Sequence, residues 1–209
     1  KIDDVKFVQA MLDWAKRNYA IDPKRIYATG ASNGAFMSHC LANAMADRFA
    51  AFAPVIGGMA PAVAEKFRPP GRASMLIING TADKLVPYHG GRIQTRGDRG
   101  SLVDTDKAVQ LWVAHNACTA APKVEMLPGV DPKDGARVER RIYAGGKGGT
   151  EVHLYVLQGG GHHWPGQRES GAMRLPSVRK AYDRIAGPPC NDIDATKIVW
   201  EFFKTHPKP

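Results

Sequence analysis

A single serine held between glycines constrains this chain more than any other feature. Residues 30–34 read Gly-Ala-Ser-Asn-Gly; a β-prone run from Arg25 to Thr29 precedes them, and apolar residues at helical spacing follow. Strand, G-x-S-x-G and helix in this order are the sequence form of a nucleophile elbow, which raises the hydroxyl of Ser32 above a sheet. We expect glycine to be required on both sides of the serine, because a Cβ would clash in so tight a turn. The alternative is a glycine-rich strand–helix turn with an exposed serine, since short G-x-S-x-G matches also arise by chance.

Hydrophobic periodicity predicts helices alternating with buried strands. Strands are predicted over residues 25–29, 49–56, 75–79, 137–143 and 152–157, and helices over 3–18, after the G-x-S-x-G segment, from Asp104-Thr105, and from Asp194. Residues 59–73 are predicted to form a loop, with a short helix as an alternative, residues 88–103 an exposed loop, and residues 158–190 a mostly irregular segment. The glycines at 145–149 suit a hairpin. The alternation predicts an α/β sheet, and the absence of an evident linker predicts one domain over residues 1–209.

The composition narrows the class of protein. The chain is 44% hydrophobic and 23% charged, which is a globular composition, and no apolar run reaches the length of a membrane span. The net charge of +9 allows a nucleic-acid partner, but the basic residues are scattered without interleaved aromatics, so a solvated basic surface is favoured. Three cysteines, Cys40, Cys118 and Cys190, permit at most one intrachain disulfide, and none forms a C-x-x-C pair.

A serine hydroxyl needs a base and an orienting carboxylate to become a nucleophile, and the chain offers both in order. Asp83 follows the apolar strand 75–79, where the alternative is an ordinary turn aspartate. His162 and His163 follow three glycines after the strand 152–157, and chemistry alone leaves the choice between the two rings open. At the start of the helix after Ser32, the N–H of Asn33 is predicted to face an oxyanion.

No cofactor or metal is predicted. A metal site would need several histidines to converge, and no pairing of histidine with aspartate has ligand spacing. Each of the remaining histidines is expected to be structural or solvated; they are His39, His89, His115, His153 and His206.

Three ordered motifs resemble the polyhydroxybutyrate depolymerase and feruloyl esterase branch of the α/β-hydrolases, which is similar to carbohydrate esterase family 1. They are Gly-Ala-Ser-Asn-Gly-Ala at 30–35, Asn-Gly-Thr-Ala-Asp at 79–83 with Pro-Tyr at 87–88, and Gly-Gly-Gly-His-His-Trp-Pro-Gly at 159–166. The tail, residues 192–203, resembles the same group, so the resemblance covers nearly the whole chain. It implies the α/β-hydrolase fold, with a mostly parallel sheet flanked by helices. It also implies a triad of Ser32, His162 and Asp83, and thus selects His162 over His163.

The resemblance further implies a secreted or periplasmic serine esterase that cleaves hydroxyalkanoate, feruloyl or related esters through an acyl-enzyme. Trp164 then has two interpretations, an aromatic wall for substrate or a packed loop anchor, and Tyr88 is a weaker candidate for substrate contact. Two alternatives stay open: a serine peptidase with the same three residues, and a non-catalytic hydrolase-like binding module. The expected partner is an ester substrate, with no nucleic acid and no membrane.

Two departures from the resembling group matter. Its members carry upstream strands and a loop that donates a second oxyanion N–H, whereas this chain begins at Lys1 with the helix before the elbow strand. We therefore expect it to be the C-terminal part of a longer protein, whose missing segment or a second chain completes the sheet beside an exposed elbow strand. Members also often pair a cysteine near residues 145–146 with the one at Cys118; both positions are glycine here, which leaves Cys118 to pair with Cys190 or stay free.

Overall fold

A computed structural model describes residues 2–95, 97, 99–130, 135–167 and 174–208. The helices are α1 (Asp4–Asn18), α2 (Asn33–Met45), α3 (Pro61–Glu65), α4 (Thr105–Asn116), α5 (Pro176–Ala186) and α6 (Ala195–Thr205). The strands are β1 (Tyr27–Ala31), β2 (Ala51–Val55), β3 (Ser74–Gly80), β4 (Gly91–Arg92), β5 (Ser101–Leu102), β6 (Lys123–Met126), β7 (Arg137–Tyr143) and β8 (Val152–Gln158). None of the helices in these ranges has both the length and the apolar character needed to cross a bilayer.

Six strands form one sheet in the order β1-β2-β3-β8-β7-β6, and β4 and β5 form a separate two-stranded ribbon. Three of the five pairings in the large sheet are parallel, and the two that involve β7 are antiparallel. The predicted α/β class with a mostly parallel sheet is therefore confirmed. Within the described residues β1 lies at the edge of this sheet, as expected for the elbow strand.

Sequence pattern explains why these segments take their places. Every residue of β2 and β3 is buried, as expected of parallel strands with helices on both faces. Three helices begin at an aspartate whose side chain accepts the backbone N–H three residues later. These capping residues are Asp3, Asp104 and Asp194.

Two apolar cores lie on opposite faces of the sheet. The first joins α1, α2 and α4 to the sheet, with Phe52, Met75 and Trp112 fully buried at its centre. The second joins α6 to the other face through Val199, Phe202 and Phe203. The parallel strands thus sit between helical layers, and their carboxyl ends share one edge of the sheet.

Three predictions for individual segments are wrong or incomplete. The prediction for residues 158–190 was incomplete, because α5 occupies 176–186 within this otherwise mostly irregular segment; residues 168–173 lie outside the described part. The expected loop at 88–103 contains the ribbon of β4 and β5, and the strand β6 was missed. The strands of the ribbon have two residues each and β6 is exposed throughout, so hydrophobic periodicity gives these strands little signal. Helix α5 does have an amphipathic pattern, which was overlooked in a segment rich in glycine and proline.

The cysteines do not form the disulfide between Cys118 and Cys190 that the sequence allowed. Cys118 packs against the first core and Cys190 lies in the second, on the other face of the sheet. A disulfide requires Cα atoms within about 7 Å, which a sheet between the two thiols prevents. The alternative that Cys118 pairs with Cys190 is therefore wrong, and Cys118 is a free thiol whose Sγ lies 3.7 Å from the carbonyl oxygen of Thr150.

Candidate active site

The turn between β1 and α2 holds Ser32 in a conformation that residues with a Cβ rarely adopt. Its φ of 53° and ψ of −112° lie outside the ordinary regions for a non-glycine residue. The backbone fixes it on both sides: its N–H donates to the carbonyl of Val55 at 3.0 Å, and its carbonyl accepts from the N–H groups of Ala35 and Phe36. Such strain persists only where the surrounding structure enforces it, and it is concentrated at functional sites.

The glycines around this turn are not equivalent. A Cβ on Gly30 would lie 2.7 Å from backbone atoms of Gly34, so glycine is required there, as predicted. A Cβ on Gly34 would meet nothing within 4 Å, so the expectation that this position also needs glycine is wrong. The second tight contact instead involves Gly57, where a Cβ would lie 2.5 Å from the Cβ of Ala35 and 2.7 Å from the carbonyl oxygen of Ser32.

Asp83 lies in the loop that leaves the carboxyl end of β3, and its carboxylate is buried. One oxygen, Oδ1, accepts the backbone N–H groups of Leu85 at 2.9 Å and Val86 at 2.8 Å. The other, Oδ2, lies 2.7 Å from Nδ1 of His162. Three donors therefore hold the carboxylate in one orientation.

His162 lies in the loop that leaves the neighbouring strand β8, and close backbone contacts fix that loop. A Cβ on Gly80 would lie 2.2 Å from the carbonyl oxygen of Gly160, so the loops after β3 and β8 touch through their main chains. The N–H of His162 donates to the carbonyl of Ala186 at 2.7 Å, and the hydroxyl of Tyr182 in α5 donates to the carbonyl of His162 at 3.3 Å. Helix α5, which was not predicted, thus supports the histidine loop.

The three side chains meet in one chain of contacts. Nε2 of His162 lies 2.9 Å from Oγ of Ser32, and Nδ1 lies 2.7 Å from Oδ2 of Asp83. Since a carboxylate only accepts hydrogen bonds, the Nδ1–H donates to Asp83 and the lone pair of Nε2 faces the hydroxyl. His163 lies elsewhere, with Nε2 2.9 Å from the carbonyl oxygen of Gly187. The structure therefore brings His162, and not His163, to Ser32.

A cleft of about 600 Å³ opens above this contact chain. Ser32, Asn33 and His162 line one part of it, and Asn33 occupies the first turn of α2, where backbone N–H groups have no partner within the helix. Apolar and polar residues from two loops line the remainder, among them Val86, Ile93, Thr95, Arg99, Ser101 and Leu102. The ribbon of β4 and β5 thus contributes much of the wall, a contribution that sequence analysis missed.

The two predicted substrate contacts lie away from this cleft, whose described lining includes neither of them. Tyr88 is buried in the first core, where its hydroxyl lies 3.3 Å from the carboxylate of Asp106, and burial raises its pKa above the ordinary value. Trp164 packs against the second core, and its indole N–H donates to the hydroxyl of Thr196 at 3.0 Å. These contacts favour packing for both side chains; a part in substrate binding stays a prediction.

Two further groups of titratable residues escaped sequence analysis. His39 lies on the buried face of α2, and burial lowers its pKa from the ordinary 6.5 to about 4. At the amino end of β8, Glu151 and His153 meet His206, which is distant in the sequence, and the ligand atoms of the three lie within 4.8 Å of one another. Only the fold brings His206 to His153, so the spacing of these residues in the sequence did not indicate a metal site.

Several known proteins are similar in sequence to most of this chain. The profile of the Prolyl oligopeptidase family matches residues 1–67. Feruloyl esterase B of Piromyces equi is 32% identical over 163 residues, which cover 77% of this chain and 29% of that protein. Poly(3-hydroxyalkanoate) depolymerase C of Paucimonas lemoignei is 28% identical over 182 residues, which cover 79% of this chain and 41% of that protein. Among solved structures, acetyl xylan esterase from Aspergillus awamori aligns with a TM-score of 0.48 and 16% identity, over 76% of this chain and 61% of that one.

The chain is an α/β-hydrolase. It is related to the feruloyl esterases and to poly(3-hydroxyalkanoate) depolymerase C, which confirms the resemblance read from its motifs. This α/β-hydrolase spans less than half the length of the two curated relatives described above. The names of these relatives are those of esterases and of a depolymerase.

Proposed function

We propose that this α/β-hydrolase cleaves carboxylic esters through a triad of Ser32, His162 and Asp83. The observation that carries the proposal is the chain of contacts from Ser32 Oγ to His162 Nε2 at 2.9 Å and from His162 Nδ1 to Asp83 at 2.7 Å. A serine paired with a base, and a base paired with a buried carboxylate, are what nucleophilic acyl transfer requires. All three side chains lie at the carboxyl edge of the sheet, and two of them line the cleft.

The reaction proceeds in two halves. His162 takes the proton of Ser32 as the hydroxyl oxygen attacks the ester carbonyl, and the N–H of Asn33 donates to the developing oxyanion. Asp83 stabilises the imidazolium, which then protonates the departing alcohol and leaves an acyl group on Ser32. Water, deprotonated by the same imidazole, attacks that acyl group and releases the acid, and the proton returns to Ser32.

The proposed substrates are feruloyl, hydroxyalkanoate or related esters, and two observations support them. The relatives are named for feruloyl esters and for poly(3-hydroxyalkanoate). The cleft beside Ser32 has apolar side chains from Val86, Ile93 and Leu102, which suit an acyl or aryl group. The secreted or periplasmic location that the motifs imply belongs to the same proposal, and fractionation of the producing cells tests it.

Hydrolysis of p-nitrophenyl butyrate tests the triad. Ser32→Ala and His162→Ala should each lower the rate by about 10⁴-fold or more, and the double variant should lose little beyond either one, because residues of a triad act as a unit. Ser101→Ala is the matched control, since this second serine also lines the cleft and has no histidine partner among the described residues. Full activity in Ser32→Ala would remove the serine as nucleophile.

A serine peptidase of the same fold is the second candidate, because the profile of the Prolyl oligopeptidase family matches residues 1–67. Peptide anilides tested beside the ester separate the two activities. Labelling with a fluorophosphonate separates both from a non-catalytic binding module, because the probe reacts only with an activated serine. Labelling of the wild type that Ser32→Ala abolishes supports an enzyme; no labelling of the wild type supports the binding module.

A further inference from the structure

A cluster of three metal-ligating side chains lies at the end of β8 opposite to His162. Glu151 directly precedes β8, His153 is its second residue, and His206 caps the carboxyl end of α6. Both rings turn the same atom toward one carboxylate oxygen: Nε2 of His153 lies 2.7 Å from Oε2 of Glu151, and Nε2 of His206 lies 3.3 Å from it. In the described part of the chain, no other group of three such residues brings its ligand atoms so close together.

The contacts of His206 identify which of its nitrogens carries a proton. Nδ1 lies 2.8 Å from the carbonyl oxygen of Phe202, which can only accept, so the Nδ1–H donates to it. A neutral His206 then presents the lone pair of Nε2 to the carboxylate of Glu151. Two acceptors 3.3 Å apart repel each other unless a positive charge lies between them. An imidazole oriented by a backbone carbonyl through its other nitrogen is also the usual arrangement of a histidine that binds a metal.

We propose that Glu151, His153 and His206 bind one divalent cation of the zinc type. Two imidazoles and one carboxylate are a common ligand set for zinc, with water in the fourth position. Tetrahedral bonds of 2.0–2.1 Å place neighbouring ligand atoms about 3.3 Å apart. The Glu151–His206 pair already matches this separation, and the Glu151–His153 pair, now at the hydrogen-bond distance of 2.7 Å, would have to open to it when the ion binds. Side-chain exposures of 31% for Glu151, 14% for His153 and 11% for His206 leave the cluster accessible to water and to the ion.

Charged and titratable groups near the cluster determine what competes with zinc for it. Arg140 is the other charged group that His153 experiences, and its guanidinium is paired with Glu125 at 2.6 Å. Cys118 lies near enough for Glu151 to influence its thiol. A proton on Nε2 of His206 would also satisfy the carboxylate, so a proton is the occupant that competes with zinc. Because the cluster links the end of α6 to the start of β8, bound zinc should stabilise the fold.

Titration with zinc chloride tests the site directly. Protein freed of metal by a chelator and titrated by calorimetry at pH 7.5 should bind one zinc ion per chain, and its melting temperature should rise with zinc concentration. His153→Ala and His206→Ala should each weaken binding by more than about 100-fold, because loss of even an outer-shell partner costs 10–100-fold. Glu151→Gln, which keeps size and shape, gives a second measure if an alanine variant fails to fold.

Three control variants distinguish this site from other zinc ligands. His115→Ala removes a histidine on α4 that lies outside the cluster and should leave the affinity unchanged. His162→Ala and Cys118→Ser should leave it unchanged too, which separates the proposed site from the Ser32 contact chain and from thiol binding. Loss of binding in either of those two variants would overturn the proposal. So would the absence of stoichiometric binding to the wild type at zinc concentrations up to about 1 mM, which would leave an imidazolium–carboxylate pair as the occupant.

Discussion

Replacing His39 should make the folded protein markedly more resistant to mild acid. The side chain is 1% exposed on α2, its Nδ1 has no hydrogen-bond partner among the described residues, and burial lowers its pKa from 6.5 to about 4. In the unfolded chain His39 therefore binds a proton near pH 6.5, whereas in the folded chain it does so only near pH 4. The stability contributed by neutral His39 is fully present above about pH 6.5 and is lost as the pH falls toward 4.

The shift of pKa sets the size of this effect. The fall in pKa from 6.5 to about 4 corresponds to about 3 kcal/mol of unfolding free energy once the pH is below 4, and to about 2 kcal/mol at pH 5. His39→Leu replaces the imidazole with an apolar side chain of similar volume, which suits a buried helical position. At pH 7.5 we expect the variant to be at least as stable as the wild type, since it removes a buried nitrogen that lacks a partner.

Urea unfolding followed by tryptophan fluorescence at pH 7.5, 6 and 5 measures the effect. The free energy of unfolding of the wild type should fall between pH 7.5 and pH 5 by about 2 kcal/mol more than that of His39→Leu. His89→Gln is the matched control, because the side chain of His89 is 79% exposed, and its pH profile should follow the wild type. Parallel profiles for the wild type and His39→Leu would refute the reasoning.

Two further predictions concern the turn that holds Ser32. Ser32→Gly should be more stable than Ser32→Ala by about 1 kcal/mol in urea unfolding. Glycine relieves about 1–3 kcal/mol of backbone strain at φ 53° in the folded state, but it also adds about 1 kcal/mol of conformational entropy to the unfolded chain. Equal stabilities would show that the turn stores no strain. Gly30→Ala should cost about 1–3 kcal/mol, because its Cβ would lie 2.7 Å from backbone atoms. Gly34→Ala, with open space around the Cβ, should be neutral or gain up to about 1 kcal/mol, and a loss as large as that of Gly30→Ala would contradict the contacts described here.

Local patterns were sufficient for most of the fold. The buried strands β2 and β3 and the aspartate-capped helices α4 and α6 appear near their predicted positions, because continuous apolar runs and capping residues are local signals. Helix α5 was missed within a glycine- and proline-rich segment, although Pro176 at its first turn is a known start signal that was available. Only the tertiary structure could reveal its contact with the loop of His162.

The candidate site also has features that the sequence predicts and features that only the tertiary structure reveals. The meeting of Ser32 and Asp83 with one of the two histidines at 162–163 was predictable because each follows a strand, and the carboxyl ends of parallel strands meet at one edge. The choice of His162 came from the family resemblance. That glycine is required at position 30 but not at position 34 was not predictable, since the requirement depends on the direction in which each Cβ would point. The cluster at Glu151 was out of reach for another reason: its histidines are brought together from β8 and from the end of α6.

The ribbon of β4 and β5 is built apart from the layer beneath it. It shares no ladder hydrogen bond with the six-stranded sheet in the described residues, yet Ile93, Ser101 and Leu102 line the same cleft as Ser32. Surface segments of this kind tolerate insertions and deletions better than the elements they connect. Related chains are therefore expected to remodel the shape of this wall freely during evolution while the scaffold beneath it stays the same.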